Sequence, residues 1–162
     1  MTDPAEIVRE YSDCAYSLAY RITGNRDDAY DIVQDAFIAV LDKFDQVENK
    51  KAYLLKAVYN HALNRLKKNK KLIYQTAPLE PISETQPDIE YENQASDQKA
   101  REKLSQLSEK QREIITYRFW GDLKLVEIAR LLKINEATVR VHLSRGLNKL
   151  RELFSKGVHN EM

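Results

Sequence analysis

Two stretches of apolar residues at helical spacing are separated by a 25-residue interval, 72–96, that has no such pattern, and this interruption divides the chain into two helical units. In the first unit, apolar residues recur at Ile7, Val8, Tyr11, Ala15, Leu18, Ala19 and Ile22. They continue through Ala29, Ile32, Val33, Ala36, Phe37, Val40, Leu41 and Phe44, and again through Leu54, Leu55, Val58, Ala62, Leu63 and Leu66. Asp3-Pro4-Ala5-Glu6 supplies a cap acceptor, a first-turn proline and a capping acid, and Gly24 ends the first helix. The interval holds Pro78, Pro81 and Pro87 and no Lys or Arg. It cannot bury enough apolar surface to offset its chain entropy, so an extended tether is expected. Beyond it, Asp97 is placed to cap a short helix through Ala100, Leu104 and Leu107, and Ser108-Glu109-Lys110-Gln111 forms a capping box ahead of Ile114, Ile115 and Phe119. Leu125–Leu132, a break at Lys133-Ile134-Asn135 and a helix from Glu136 to about Phe154 predict a helix-turn-helix. The expectation is an all-α protein of two small helical domains, 1–71 and 97–162, joined by an acidic Pro-containing linker, 72–96.

The total charge is uninformative, with 26 bases against 25 acids. Its distribution is not. Residues 1–50 hold 11 acids and 5 bases, residues 51–71 hold 7 bases and no acid, residues 72–98 hold 6 acids and no base, and residues 99–162 hold 14 bases and 8 acids. Segregation of this kind marks separate binding faces. The second helix shows Asp27, Asp28, Asp31, Gln34, Asp35 and Asp42 away from its apolar stripe, while the third shows Lys51, Lys56, Asn60, Asn64, Arg65, Lys67 and Lys68.

Other classes are disfavoured. No apolar run reaches the ~18–20 residues that span a bilayer, and the N-terminus lacks a basic start followed by an apolar stretch, so a cytoplasmic protein is expected. A single cysteine, Cys14, has no disulfide partner and reads as a buried helix residue, and His61, His142 and His159 lack metal-ligand spacing. Gly24, Gly121, Gly146 and Gly157 are too scattered for a phosphate-binding loop. No catalytic residue, metal, cofactor or small-molecule substrate is therefore expected.

The last helix carries the sharpest local signal. Val139, Leu143, Gly146, Leu147, Leu150 and Phe154 share one face, and Ala137, Val141, Ser144, Arg145 and Asn148 share the opposite one. On a recognition helix Arg145 would reach guanine acceptors, Ser144 a base or phosphate, and the methyls of Ala137 and Val141 would pack on thymine. Arg140 and Lys149 flank this set as phosphate contacts. A helix-turn-helix alone leaves repressors, activators and initiation factors open.

The first unit narrows the choice. The run Leu18-Ala19-Tyr20-Arg21-Ile22-Thr23-Gly24-Asn25-Arg26-Asp27-Asp28-Ala29-Tyr30-Asp31-Ile32-Val33-Gln34-Asp35-Ala36-Phe37 closely resembles region 2 of bacterial extracytoplasmic-function (ECF) sigma factors, group 4 of the sigma-70 family. Ala52 to Asn60 is similar to the next segment of that region, and Leu107 to Leu150, with Glu127-Ile128-Ala129 and Thr138-Val139-Arg140, resembles region 4. The resemblance implies an alternative sigma factor, not itself an enzyme, that directs core RNA polymerase to −10 and −35 promoter elements. It implies that Asp31, Gln34, Asp35 and Phe37 dock on a coiled coil of the polymerase largest subunit. It places Asn60 at a flipped −10 base, and Lys56, Arg65, Lys67 and Lys68 on phosphates of the opened strand. Thr138 joins Ala137, Arg140, Val141, Ser144, Arg145, Asn148 and Lys149 at the −35 element. An anti-sigma partner, which can hold the factor at the membrane, is also implied.

The sequence departs from the family pattern at Tyr53, usually Trp, at Asn64, often Asp, and at Val141 and His142, where small polar and basic residues are common. Lys124 stands where Ser or Thr usually caps a helix, so Asp122 is expected to cap instead. Two other readings stay open: a LuxR-type regulator, which Thr138 to Leu143 also resembles, and a polymerase adaptor that touches no DNA. The regulator would need a β/α half that residues 1–71 do not show. At ~3.3 Å per residue the linker reaches ~80 Å, against ~70 Å for two duplex turns between promoter elements.

Overall fold

The computed structural model describes residues 3–75 and 98–160. Those residues are helical, with no strand among them. Helix α1, Pro4–Thr23, starts where the Asp3 carboxylate accepts the Ala5 N–H at 3.0 Å and ends at Gly24, whose N–H donates to the Tyr20 carbonyl at 2.7 Å. Gly24 has φ +67°, a conformation nearly free of cost only for glycine. Helix α2, Arg26–Val40, is capped by Asn25, which accepts the Asp28 N–H. The expected stripe through Leu41 and Phe44 is not one helix: a 3₁₀ turn, Leu41–Gln46, tightens the chain after Val40, and Phe44 is buried within it. Helix α3, Lys50–Gln75, is capped by Asn49, whose side chain accepts the Ala52 N–H at 3.0 Å. It continues four residues into the interval expected as linker. The rest of that interval, with Asp97, lies outside the described residues.

The three N-terminal helices pack as a bundle around Leu18, Ile32, Leu54 and Val58. Beyond the interval, α4 is described over 98–104. Helix α5, Glu109–Phe119, begins with the expected capping box between Ser108 and Gln111. Helices α6, Leu125–Leu132, and α7, Glu136–Asn160, form the helix-turn-helix, with Lys133 at φ 57° in the turn. Asp122 does not cap α6. Lys124 is the N-cap residue, and the Glu127 carboxylate reaches back to its N–H at 2.9 Å. Asp122 instead occupies φ 52°, with its carboxylate 3.9 Å from Arg118. α5 and α7 approach closely because position 146 is glycine: a Cβ there would lie 2.7 Å from Ile115 Cδ1.

The two halves touch. Ile114, Tyr117, Leu123, Ile128, Ala129 and Val139 belong to the same buried cluster as the α1–α3 core, while Leu104, Leu107 and Ile115 form a second, smaller one under α7. Neither half is large, and small single cores are marginal, so a shared core stabilises both. Cys14 sits at this seam, half-buried, with Sγ 3.7 Å from the Gly121 carbonyl; burial pushes its thiol pKa up. Gly24→Ala is expected to lower stability by about 1–2 kcal/mol, the cost of a Cβ at positive φ, plus the displacement of the Arg101 guanidinium whose Cζ would lie 2.5 Å from it. Urea unfolding at equilibrium measures the difference.

Candidate nucleic-acid interface

The outward face of α7 is built as its pattern required. Ala137, Val141, Ser144, Arg145 and Asn148 are exposed and lie within one side of the helix at about 100° per residue, while Val139 and Gly146 are buried on the other. Val141 is 45% exposed, a large apolar group kept in water beside the polar Ser144, Arg145 and Asn148. Lys149 is exposed beside this set, and Thr138 is half-buried at its edge. Arg140 is not idle: its Nη2 lies 2.8 Å from Glu136 Oε1, an exposed pair one turn apart that a phosphate can displace.

On α3 the basic residues divide. Lys56, Asn60 and Lys67 fall on one side of the helix, whereas Arg65 and Lys68 turn toward α2. Asn60, Lys67 and Lys68 are exposed. Arg65 is engaged, with Nη1 2.9 Å from Asp28 Oδ1 and Asn69 donating to the other oxygen of the same carboxylate. Arg65, expected on phosphates of the opened strand, is thus paired with Asp28 where α2 and α3 cross. Lys56 is also engaged, its Nζ 3.4 Å from Glu113 of α5. A polar cleft of about 530 Å³ runs along this part of α3, lined by Ile32, Asp35, His61, Asn64, Arg65, Lys67 and Lys68. His61 and Asn64 thus join the basic surface, although neither residue type signals nucleic-acid contact by itself.

The acidic face of α2 presents Asp31, Gln34 and Asp35, all exposed. Phe37 does not belong with them. Only 6% exposed, it faces the bundle core, because it lies about 240° from Asp31 and on the side of Val33 and Val40. The apolar side chain that does stand among the acids is Ile38, 74% exposed. Tyr30 is exposed at one edge of the face, its ring 5.5 Å from Tyr16 in an edge-on contact.

The pattern of the family described as Sigma-70 region 2 matches residues 7–72, and that of Sigma-70, region 4, matches residues 97–150. The chain is 31% identical to the RNA polymerase sigma factor SigV of Bacillus subtilis, over 92% of this chain and 89% of that protein. It is 29% identical to the ECF RNA polymerase sigma factor SigW of the same organism, over 91% and 87%. The chain belongs to the ECF sigma factors. Its fold is that of the sigma factor RpoE from Bartonella quintana, solved in complex with the anti-sigma factor NepR, with TM-score 0.65 and 21% identity over 93% of this chain and 96% of that one. CnrH, solved with the cytosolic domain of CnrY, matches with TM-score 0.68 and 19% identity over 94% and 88%. As an alternative sigma factor the protein binds core RNA polymerase and directs promoter-specific initiation. The regulator reading falls away, since residues matching region 2 occupy the half where a receiver would stand.

In this sigma factor the turn before α6 doubles as a contact between the halves. Glu127 accepts the Lys124 N–H and, at 2.6 Å, the Asn49 side-chain amide from the start of α3. These bonds, the backbone one foremost, hold its pKa below the ordinary value despite partial burial. The ionised form therefore contributes stability in full above about pH 4.5 and loses it as pH falls through the lower folded value. Glu127→Gln keeps a capping side chain and removes the charge. Its stability difference from wild type, measured by urea unfolding, is expected to stay constant from about pH 7 to about pH 5 and to shrink below that.

Proposed function

We propose that three faces divide the work of this sigma factor. Asp31, Gln34 and Asp35, with Ile38 among them, dock on the coiled coil of the polymerase largest subunit. Asn60 reads a flipped base of the −10 element, its amide offering both donors and an acceptor, while Lys56, Lys67 and Lys68 hold phosphates of the opened strand. Arg65 serves the strand only after releasing Asp28. On α7, Ala137, Val141, Ser144, Arg145 and Asn148 read the −35 major groove, and Thr138, Arg140 and Lys149 fix the helix on its phosphates. The protein supplies no chemistry of its own; polymerase does.

The observation that carries this reading is the sorting of charge onto separate helices: an exposed acidic face on α2 and an exposed polar face on α7 with an apolar methyl-bearing centre. Like RpoE, solved in complex with an anti-sigma factor, this chain is inferred to have an anti-sigma partner, and no described helix is long and apolar enough to cross a membrane, which fits a cytoplasmic factor.

Transcription from candidate promoters with and without core polymerase tests the whole reading. Reversing both Asp31 and Asp35 to Lys is expected to leave helix content unchanged and abolish co-purification with core enzyme; undiminished binding would remove the α2 assignment. Arg145→Ala is expected to cost ~1–3 kcal/mol on the preferred −35 sequence and relax preference at one or two positions. Lys149→Ala should weaken all sequences alike and lower the salt slope by ~0.9. Equal losses for both variants on every sequence, read by anisotropy, would take Arg145 out of the groove.

A further inference from the structure

A cavity of about 440 Å³ opens where the end of α1 meets α3, α4 and α5, and its lining is cationic. Arg21 comes from α1, Arg101 from α4 and Arg112 from α5, while Glu102, the acid among the described lining residues, is exposed to water. Guanidinium groups brought together from three helices repel one another unless an anion stands among them. Two of the three also carry an unmet donor. Arg101 Nη1 and Arg112 Nε are shut off from solvent and have no acceptor among the described residues. A buried cationic N–H without an acceptor is costly, and native structures leave few. The Arg101 guanidinium is held against the end of α1, so closely that a Cβ at Gly24 would lie 2.5 Å from its Cζ. The rest of the wall is apolar and aromatic, with Leu63, Leu66 and Leu104 beside Trp120. Arg21 stands over the indole, its Cζ 5.8 Å from the ring centroid.

We propose that this cavity is a binding site for a nucleoside diphosphate, its phosphates taken by Arg101 and Arg112 and its base laid against Trp120. Guanidinium forks match phosphate oxygens two at a time and stack on planar rings. A nucleotide supplies both partners, whereas inorganic phosphate supplies only the first and a fatty carboxylate lacks the ring. The two unmet N–H groups gain acceptors as the phosphates enter, and the leucines take the apolar edge of the base and sugar. The volume lies within the range of small-ligand sites, ~300–1,000 Å³, which also combine an apolar lining with a few placed polar groups. Arg21, Arg101, Arg112 and Trp120 belong to none of the polymerase or promoter faces described above, so the site stands independently of that assignment.

Trp120 is the chain's single tryptophan, so its fluorescence reports on the cavity directly. Titrating the full chain with GDP or ADP should quench it saturably with Kd below about 100 μM, and calorimetry should give the same constant. Inorganic pyrophosphate and decanoate, an anion with an apolar tail, should each bind about tenfold more weakly or worse. Arg101→Gln with Arg112→Gln should weaken GDP binding about a hundredfold, roughly tenfold for each charge-assisted bond lost. Arg9→Gln with Lys43→Gln removes the same charge from exposed positions on α1 and the 3₁₀ turn and should leave the affinity unchanged. If the first pair loses helix content by circular dichroism, Arg101→Lys, which keeps the charge and loses the fork, replaces it with an expected loss of about tenfold. Trp120→Leu, followed by calorimetry, should lose about tenfold for GDP and nothing for pyrophosphate. The proposal is overturned by an absence of saturable quenching, by pyrophosphate or decanoate binding as tightly as GDP, or by a loss in the Arg101 variants that the Arg9/Lys43 control matches.

Discussion

Helix α3 is buried on two sides, and the arrangement of the molecule follows from that constraint. Leu54, Val58 and Ala62 close the bundle with α1 and α2, while Leu55 and Tyr59 meet the C-terminal half through Gly121 and Tyr117. A helix has about 360° to share among its neighbours, so two packing faces leave one narrow strip exposed. That strip carries Lys56, Asn60 and Lys67.

The near-zero net charge has a structural counterpart. Acids and bases from distant parts of the sequence meet in the fold, Arg65 with Asp28 across α2 and α3, and Lys56 with Glu113 across the two halves. These pairs are partly exposed, and the Lys56 side chain keeps 38% of its accessible surface. Pairs of that kind are worth at most about 1 kcal/mol. Pairs this weak can be exchanged for another partner at little cost. Glu127 differs, because its carboxylate also completes the start of α6 and so ties a contact between halves to local helix formation.

Much of the fold was legible before any coordinates. The caps at Asp3 and Ser108, the stop at Gly24, the helix-turn-helix and the two faces of α7 all follow from residues within about four positions of one another, and local chemistry of that range is what a sequence displays directly. The departures have physical causes. α2 gives way to a 3₁₀ turn after Val40, with Phe44 still buried at its end. Lys124 lacks a capping side chain, and the acid three residues ahead takes up its N–H, so no lengthened first turn around Asp122 is needed. Phe37, grouped with the acids by resemblance, belongs to the core by periodicity, and Ile38 is the apolar group the acidic face presents.

The sequence by itself determined which residues are helical, which face of each helix is apolar, and which carries acid or base, since these depend on spacing along one chain. Only the tertiary structure decided which of those charges are spoken for. The Lys56 to Glu113 contact joins residues 57 positions apart, and the Arg65 to Asp28 pair depends on where two helices cross. Neither leaves a periodic trace, because the energy of a crossing is set by the packing of whole faces rather than by the spacing of any pair.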